Sequence, residues 1–107
     1  MDLNEYQLHA QSTAGEECDS LLYLGCALSG ESGEVCNKIK KITRDQQGKI
    51  FATNVDAIVH ELGDVLWYVS VMAAKLGTSL EKVATLNLEK INKRLEHGTL
   101  HGSGDNR

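Results

Sequence analysis

The sequence contains no proline, and aromatic residues fill only 5% of its 107 positions. Nothing therefore interrupts a helical hydrogen-bond ladder, and the residue types that favour strands are scarce, so the chain is expected to be helical. Basic blocks are missing too. With a formal net charge of −4 and no cluster of Lys or Arg, the chain is not expected to bind nucleic acid, and a small anionic ligand would need local positive charge or a metal. Cys18, Cys26 and Cys36 are odd in number and lack Cys-x-x-Cys spacing. Their places near apolar helical positions predict buried, reduced thiols, which suits a cytoplasmic protein. The stretch Met1-Asp2-Leu3-Asn4-Glu5 has no basic region followed by an apolar run, and no segment reads as long enough to span a bilayer, so no membrane partner is expected.

What is present is ordinary in bulk: 41% hydrophobic and 24% charged residues, the balance of one soluble domain. Residues 1–97 read as that domain, and the Gly-rich residues 98–107 as an extended or flexible tail. A short helix is predicted from about Leu3 to Thr13, with Gln7 and Gln11 as solvated side chains. A long helix follows from about Glu17 to Thr43, then a polar turn around Gly48. The next helix runs from about Ala52 or Asn54 to Leu76, with Val55, Ile58, Val59, Leu62, Leu66, Val69, Met72, Ala73 and Leu76 on a broad apolar face. Gly77 stops it. Thr78-Ser79-Leu80-Glu81 resembles a capping box for the last helix, which is expected to bury Leu80, Val83, Ala84, Ile91 and Leu95.

Polar residues interrupt this pattern at informative places. Along the second helix Leu21, Leu24, Leu28, Val35 and Ile42 recur in steps of three and four, and the same stepping places Glu31 and Lys38 where apolar residues belong. A carboxylate at such a position must be paired, protonated or bound to metal. Gly25, Gly30 and Gly33 each weaken the helix by about 1 kcal/mol relative to Ala, which close approach of a backbone or ligand would explain. Glu31 and Glu34 are spaced i,i+3, and so are Glu61 and Asp64 on the following helix, so each pair shares a face. If the two long helices form an antiparallel hairpin, a rise of about 1.5 Å per residue sets Glu34 level with Glu61, and Glu31 level with Asp64. Four carboxylates without His or Cys favour a hard cation, Mg²⁺ first and Mn²⁺ second. Lys38 and Tyr68 lie one turn from the acids, and Asn87, Lys90 and Arg94 form a row on the last helix. Each has an ordinary structural explanation, and beside an acidic metal site each is also a candidate phosphate contact. Trp67 reads as a core or subunit contact.

The segments Gly30-Glu31-Ser32-Gly33-Glu34, Glu61-Leu62-Gly63-Asp64-Val65-Leu66-Trp67-Tyr68 and Asn87-Leu88-Glu89-Lys90-Ile91-Asn92-Lys93-Arg94, in that order, resemble the MazG family of all-α nucleoside triphosphate pyrophosphohydrolases. The resemblance implies hydrolysis of a (deoxy)nucleoside triphosphate to monophosphate and pyrophosphate, in a nucleotide-pool house-cleaning role. It implies Glu31, Glu34, Glu61 and Asp64 as catalytic Mg²⁺ ligands, and Lys38, Tyr68, Asn87, Lys90 and Arg94 as substrate contacts. It also implies a homo-oligomer built like a four-helix bundle, a tetramer before a dimer. That agrees with broad apolar faces that one thin chain cannot cover. The rival reading is a non-catalytic helical interaction module whose acids hold a structural metal.

Overall fold

A computed structural model describes residues 1–107 as four α-helices and no strands: α1 (Leu3–Ser12), α2 (Leu21–Gln46), α3 (Ala52–Lys75) and α4 (Leu80–Glu96), with a 3-10 turn at Glu16–Asp19. Each start has a local cause. Asp2 accepts the Glu5 amide at 2.8 Å in a capping box, and Ser20 accepts the Tyr23 amide at 3.1 Å. The long helix expected from Glu17 thus begins at Leu21, because Ser20 caps it after the 3-10 turn. It ends where Gln47 enters the left-handed region at φ 54°. In the loop that follows, Asn54 Oδ1 accepts the Phe51 amide at 2.9 Å and the Gln46 side-chain amide at 2.9 Å, so the loop is tied at both ends.

α2 and α3 pack as an antiparallel hairpin, the principal contact in the molecule. α1 lies mainly against α3, and its side with Ala10, together with Cys18, Leu24 and Val71, makes the small buried core. Tyr6, Trp67, Tyr68 and Met72 pack around it. α4 departs from the hairpin after Gly77, whose φ of +78° suits the residue following a helix end, and it makes no contact with α2.

Gln7 is not solvated. It is buried, its side-chain amide donates to the carbonyls of Ser70 (3.2 Å) and Thr78 (3.1 Å), and its Oε1 accepts the Leu80 amide at 3.1 Å. Asn4 accepts the Glu81 amide at 3.4 Å, and Ser79, rather than Thr78, accepts the Lys82 amide at 3.1 Å. The first three amides of α4 are thereby capped, two of them from α1.

Only ten of 107 residues are buried, and the radius of gyration is 16.6 Å where a compact chain of this length has roughly 13 Å. The accessible surface of 7633 Å² exceeds by roughly 1,700 Å² what a globular monomer of 11.7 kDa exposes. Much of the excess is apolar. Val55, Val59, Leu62 and Leu66 run along α3 as one exposed stripe, and on α4 the supposedly interior Val83 and Leu95 are exposed with Leu86 and Leu88. Cys26 and Cys36 are exposed as well, and only Cys18 is buried. Contrary to the reading of the sequence, α3 is long and apolar enough to cross a bilayer, with a mean hydropathy of 1.3 in its best window. Glu61 and Asp64 stand within it, however, and face α2 carboxylates and Lys38. Carboxylates at that depth are costly in lipid, which fits the hairpin better.

Candidate metal centre

The hairpin brings Glu31 of α2 together with Glu61 and Asp64 of α3, with one carboxylate oxygen from each lying within 4.8 Å of the others. Glu31 and Glu61 are half-buried and Asp64 is exposed. Lys38 Nζ sits 3.8 Å from Glu61 Oε1, so the two residues that broke the apolar stepping of α2 both meet Glu61's side of α3. Glu34 stands outside this triad, exposed on the next turn, although its charge is felt at Glu31. Partial desolvation, followed by the charges of Asp64, Glu61 and Glu34, pushes the Glu31 carboxyl above its ordinary range. Three oxygens held this close, with one ammonium at the edge, remain mutually repulsive until a cation or a proton enters.

A recess of about 310 Å³ opens beside the triad, lined by Glu31, Asp64, Trp67 and Tyr68. Trp67 and Tyr68 meet edge to face, with ring centroids 4.8 Å apart and planes at 81°. The Trp67 indole N–H donates to the Thr13 hydroxyl at 3.0 Å and its ring packs on the core, so it is a core side chain that also walls the recess. All three tyrosines gather here, which the sequence did not signal. Burial and the Asp64 charge raise the Tyr6 hydroxyl, and burial, Tyr23 and the Glu31 charge raise that of Tyr68. Both hydroxyls stay protonated and can donate. No atom of the chain outside their own helix turns lies within 4 Å of a Cβ built on Gly30, Gly33 or Gly63. Of the three glycines where close approach was expected, Gly30 and Gly33 thus meet nothing within one chain, while at Gly25 a Cβ would lie 4.0 Å from the Met72 side chain.

The row on α4 lies elsewhere. Asn87 and Lys90 are exposed, while Arg94 is buried beneath residues 98–107. Lys90, Lys93 and Arg94 line a larger cavity of about 650 Å³ with Asp105, Asn106 and Arg107, away from the carboxylates. Of the candidate substrate contacts, one chain brings Lys38 and Tyr68 to the acids, and it leaves Asn87, Lys90 and Arg94 apart from them.

Comparison with known proteins shows the family. The model of the MazG nucleotide pyrophosphohydrolase domain matches residues 19–99, which include the triad and the α4 row. The gene 37 protein of Mycobacterium phage L5 is 44% identical over 114 aligned positions that span all of both chains. The uncharacterized protein YvdC of Bacillus subtilis (strain 168) is 31% identical over 75 positions, covering 65% of this chain and 71% of its own. No solved structure matches the chain. With the family's domain spread over α2, α3 and α4 and an oxygen-only acidic cluster at its hairpin, the chain belongs to the MazG nucleotide pyrophosphohydrolase domain family.

Proposed function

We propose that the protein is a Mg²⁺-dependent pyrophosphohydrolase that cleaves nucleoside triphosphates, canonical or modified, between the α and β phosphates in nucleotide-pool house-cleaning in the cytoplasm. The observation that carries this reading is the convergence of Glu31, Glu61 and Asp64 within 4.8 Å beside an open recess. A hard, oxygen-only donor set fits Mg²⁺, with Mn²⁺ as a substitute. Glu31, Glu61 and Asp64 would hold the ion, with Glu34 reaching in from the next turn. Bound there, it would neutralise phosphate charge and acidify a water.

The chain's own groups supply the rest. Glu31 or Glu34, whichever is less committed to the ion, accepts the proton of the attacking water. Addition of that water across the α–β anhydride gives monophosphate and pyrophosphate. Tyr68 donates a hydrogen bond from the wall of the recess, and Lys38, held at Glu61, neutralises part of the phosphate charge. Asn87, Lys90 and Arg94 are out of reach within one chain, so α4 of a second copy completes the phosphate contacts. Two observations support such an assembly: the roughly 1,700 Å² of surplus surface, where a standard interface covers about 800 Å² per partner, and the Val55–Val59–Leu62–Leu66 stripe on α3. Surplus on that scale leaves room for two interfaces per chain, and so favours a tetramer over a dimer.

The test is incubation with Mg²⁺ and a panel of canonical and modified NTPs and dNTPs, with products resolved by ion-exchange chromatography. Monophosphate plus pyrophosphate is expected, with Glu61→Gln and Glu34→Gln each reducing turnover by about 10²-fold or more. Diphosphate and inorganic phosphate would refute the cleavage position. No turnover across the panel, with the oligomer intact, would turn the acids into a structural site.

A further inference from the structure

Arg94 is the only charged residue that the fold buries, and it is poorly satisfied. Its Nη2 donates to the Asp105 carbonyl at 3.1 Å and lies 4.0 Å from Asp105 Oδ1, while its Nε is buried with no partner. Asp105 is a weak counter-ion, since its side chain is 96% exposed and well hydrated. A guanidinium offers five N–H groups in a planar fork suited to a phosphate or carboxylate, and here most of that fork is idle. Residues 98–107, expected as an extended or flexible tail, fold back over Arg94. They leave the helix at Gly98 (φ +66°) and turn again at Gly104 (φ +85°). They are held by the Arg107 guanidinium, whose Nε donates to the Thr99 carbonyl at 2.9 Å and Nη2 to that of Leu100 at 3.0 Å. None of these ten residues is fully buried, which marks the segment as a locally weak unit.

Arg94 lies one turn beyond Lys90 and two beyond Asn87 on one face of α4. The cavity of about 650 Å³ between α4 and the folded segment is lined on the helix by Lys90, Lys93 and Arg94 with the acids Glu89 and Glu96, and on the segment side by Arg107, which would leave with it. We propose that residues 98–107 are a releasable strap that occupies Arg94 in place of a phosphate-bearing ligand, so that strap closure and anion binding on this face of α4 exclude each other. The choice of a di- or triphosphate as the anion rests on the function proposed above; the competition itself rests on Arg94 and the strap. An anion that bound only the open form would draw the population towards it and report an affinity lowered by the closed fraction.

The test uses inorganic pyrophosphate on the full chain in chelator-treated, metal-free buffer, where the acidic triad repels it. Affinity is read by NMR titration and strap closure by hydrogen exchange at the Gly102 amide, which donates to the Thr99 carbonyl at 3.1 Å. Saturating pyrophosphate is expected to deprotect Gly102 in the wild type. Gly104→Val, which puts a branched side chain at φ +85°, combined with Arg107→Ala, which removes the bonds to Thr99 and Leu100, should deprotect it without ligand and tighten pyrophosphate binding roughly ten-fold. Adding Arg94→Gln should abolish that gain. Unchanged or weaker binding in the double variant, once Gly102 is deprotected, would overturn the proposal. Persistent protection of Gly102 in that variant would overturn it equally, because these contacts would not be what holds the strap. Neither readout needs nucleotide turnover, so an inactive protein with a competing strap refutes the hydrolase alone, and an active protein without competition refutes the strap alone.

Discussion

The α2–α3 hairpin and α4 are built on opposite terms. In the hairpin, one chain brings its charged side chains together by itself: three carboxylate oxygens within 4.8 Å and Lys38 at 3.8 Å from Glu61. α4 is anchored firmly at its start by Gln7, Asn4 and Ser79, yet along its length only Leu80 and Arg94 are buried. Val83, Leu86, Leu88 and Leu95 face outward, and its polar row faces none of the hairpin's acids. The difference separates what one chain completes by itself from what it offers to another. Repulsion within the acids is resolved by a small ion, whereas exposed leucines and valines are resolved only by another large apolar surface.

The contrast breaks most completely if the exposed stripe is not an interface. Val59→Asp places a charge in the middle of that stripe, and burying it unpaired against a second copy should weaken association by about 10²-fold or more. Sedimentation velocity should show a smaller species, with helical circular dichroism retained. An unchanged mass would mean that α3 is covered by nothing, and that α4 must find its acids some other way.

A smaller effect sharpens the other side. Gln7→Ala removes a side chain that satisfies two carbonyls and one amide, so the loss should be about 2–3 kcal/mol. That is expected as a thermal midpoint lower by about 10–15 °C. Mn²⁺ affinity, measured by electron paramagnetic resonance well below that midpoint, should hold within about two-fold of wild type, because the clamp joins α1 to the start of α4 and leaves the triad alone. A large loss of metal affinity would show that the two regions are not separable.

The smallest effect lies in pH. Partial burial, then Asp64, Glu61 and Glu34, raises Glu31 above an ordinary carboxyl, so the folded protein holds its proton more tightly than the unfolded chain does. Stability from this group is therefore fully present below the unfolded pKa and fades as pH rises through the folded one. Denaturant midpoints without metal should accordingly rise as the solution is acidified from neutral into the range just above ordinary carboxyl values. Glu31→Gln should flatten that trend, and Mg²⁺ at neutral pH should replace the missing proton. A trend of the opposite sign, or one untouched by Glu31→Gln, would mean that the carboxylates are not in repulsive contact.

Much of the hairpin was legible because Glu31 and Lys38 violate an otherwise regular stepping, and a violation names a residue with something to do. Rise per residue set Glu31 level with Asp64, and those two meet, but it also set Glu34 level with Glu61, and Glu34 stands outside the triad. The Gln7 clamp had no such signal: its partners are backbone groups, which have no letter in a sequence, and they come from the remote turn between α3 and α4. Periodicity on α4 identified the apolar side but not what covers it, so Val83 and Leu95 were expected inside and lie outside. The Gly-rich composition of residues 98–107 suggested an open tail, because two arginines bonding to carbonyl oxygens leave no pattern of spacing.

The capping of α4 by α1 also has a consequence for how the protein is made. Synthesis runs from the N-terminus, so Gln7 leaves the ribosome long before Leu80, the residue whose amide it accepts. Its carbonyl partners Ser70 and Thr78 also come late, so until the end of α3 is made its side chain can only bind water, while α2 and α3 are adjacent in the chain and pack directly on one another. The hairpin with its acids can thus form on the nascent chain with α1 against it, and the clamp that joins α1 to α4 closes last.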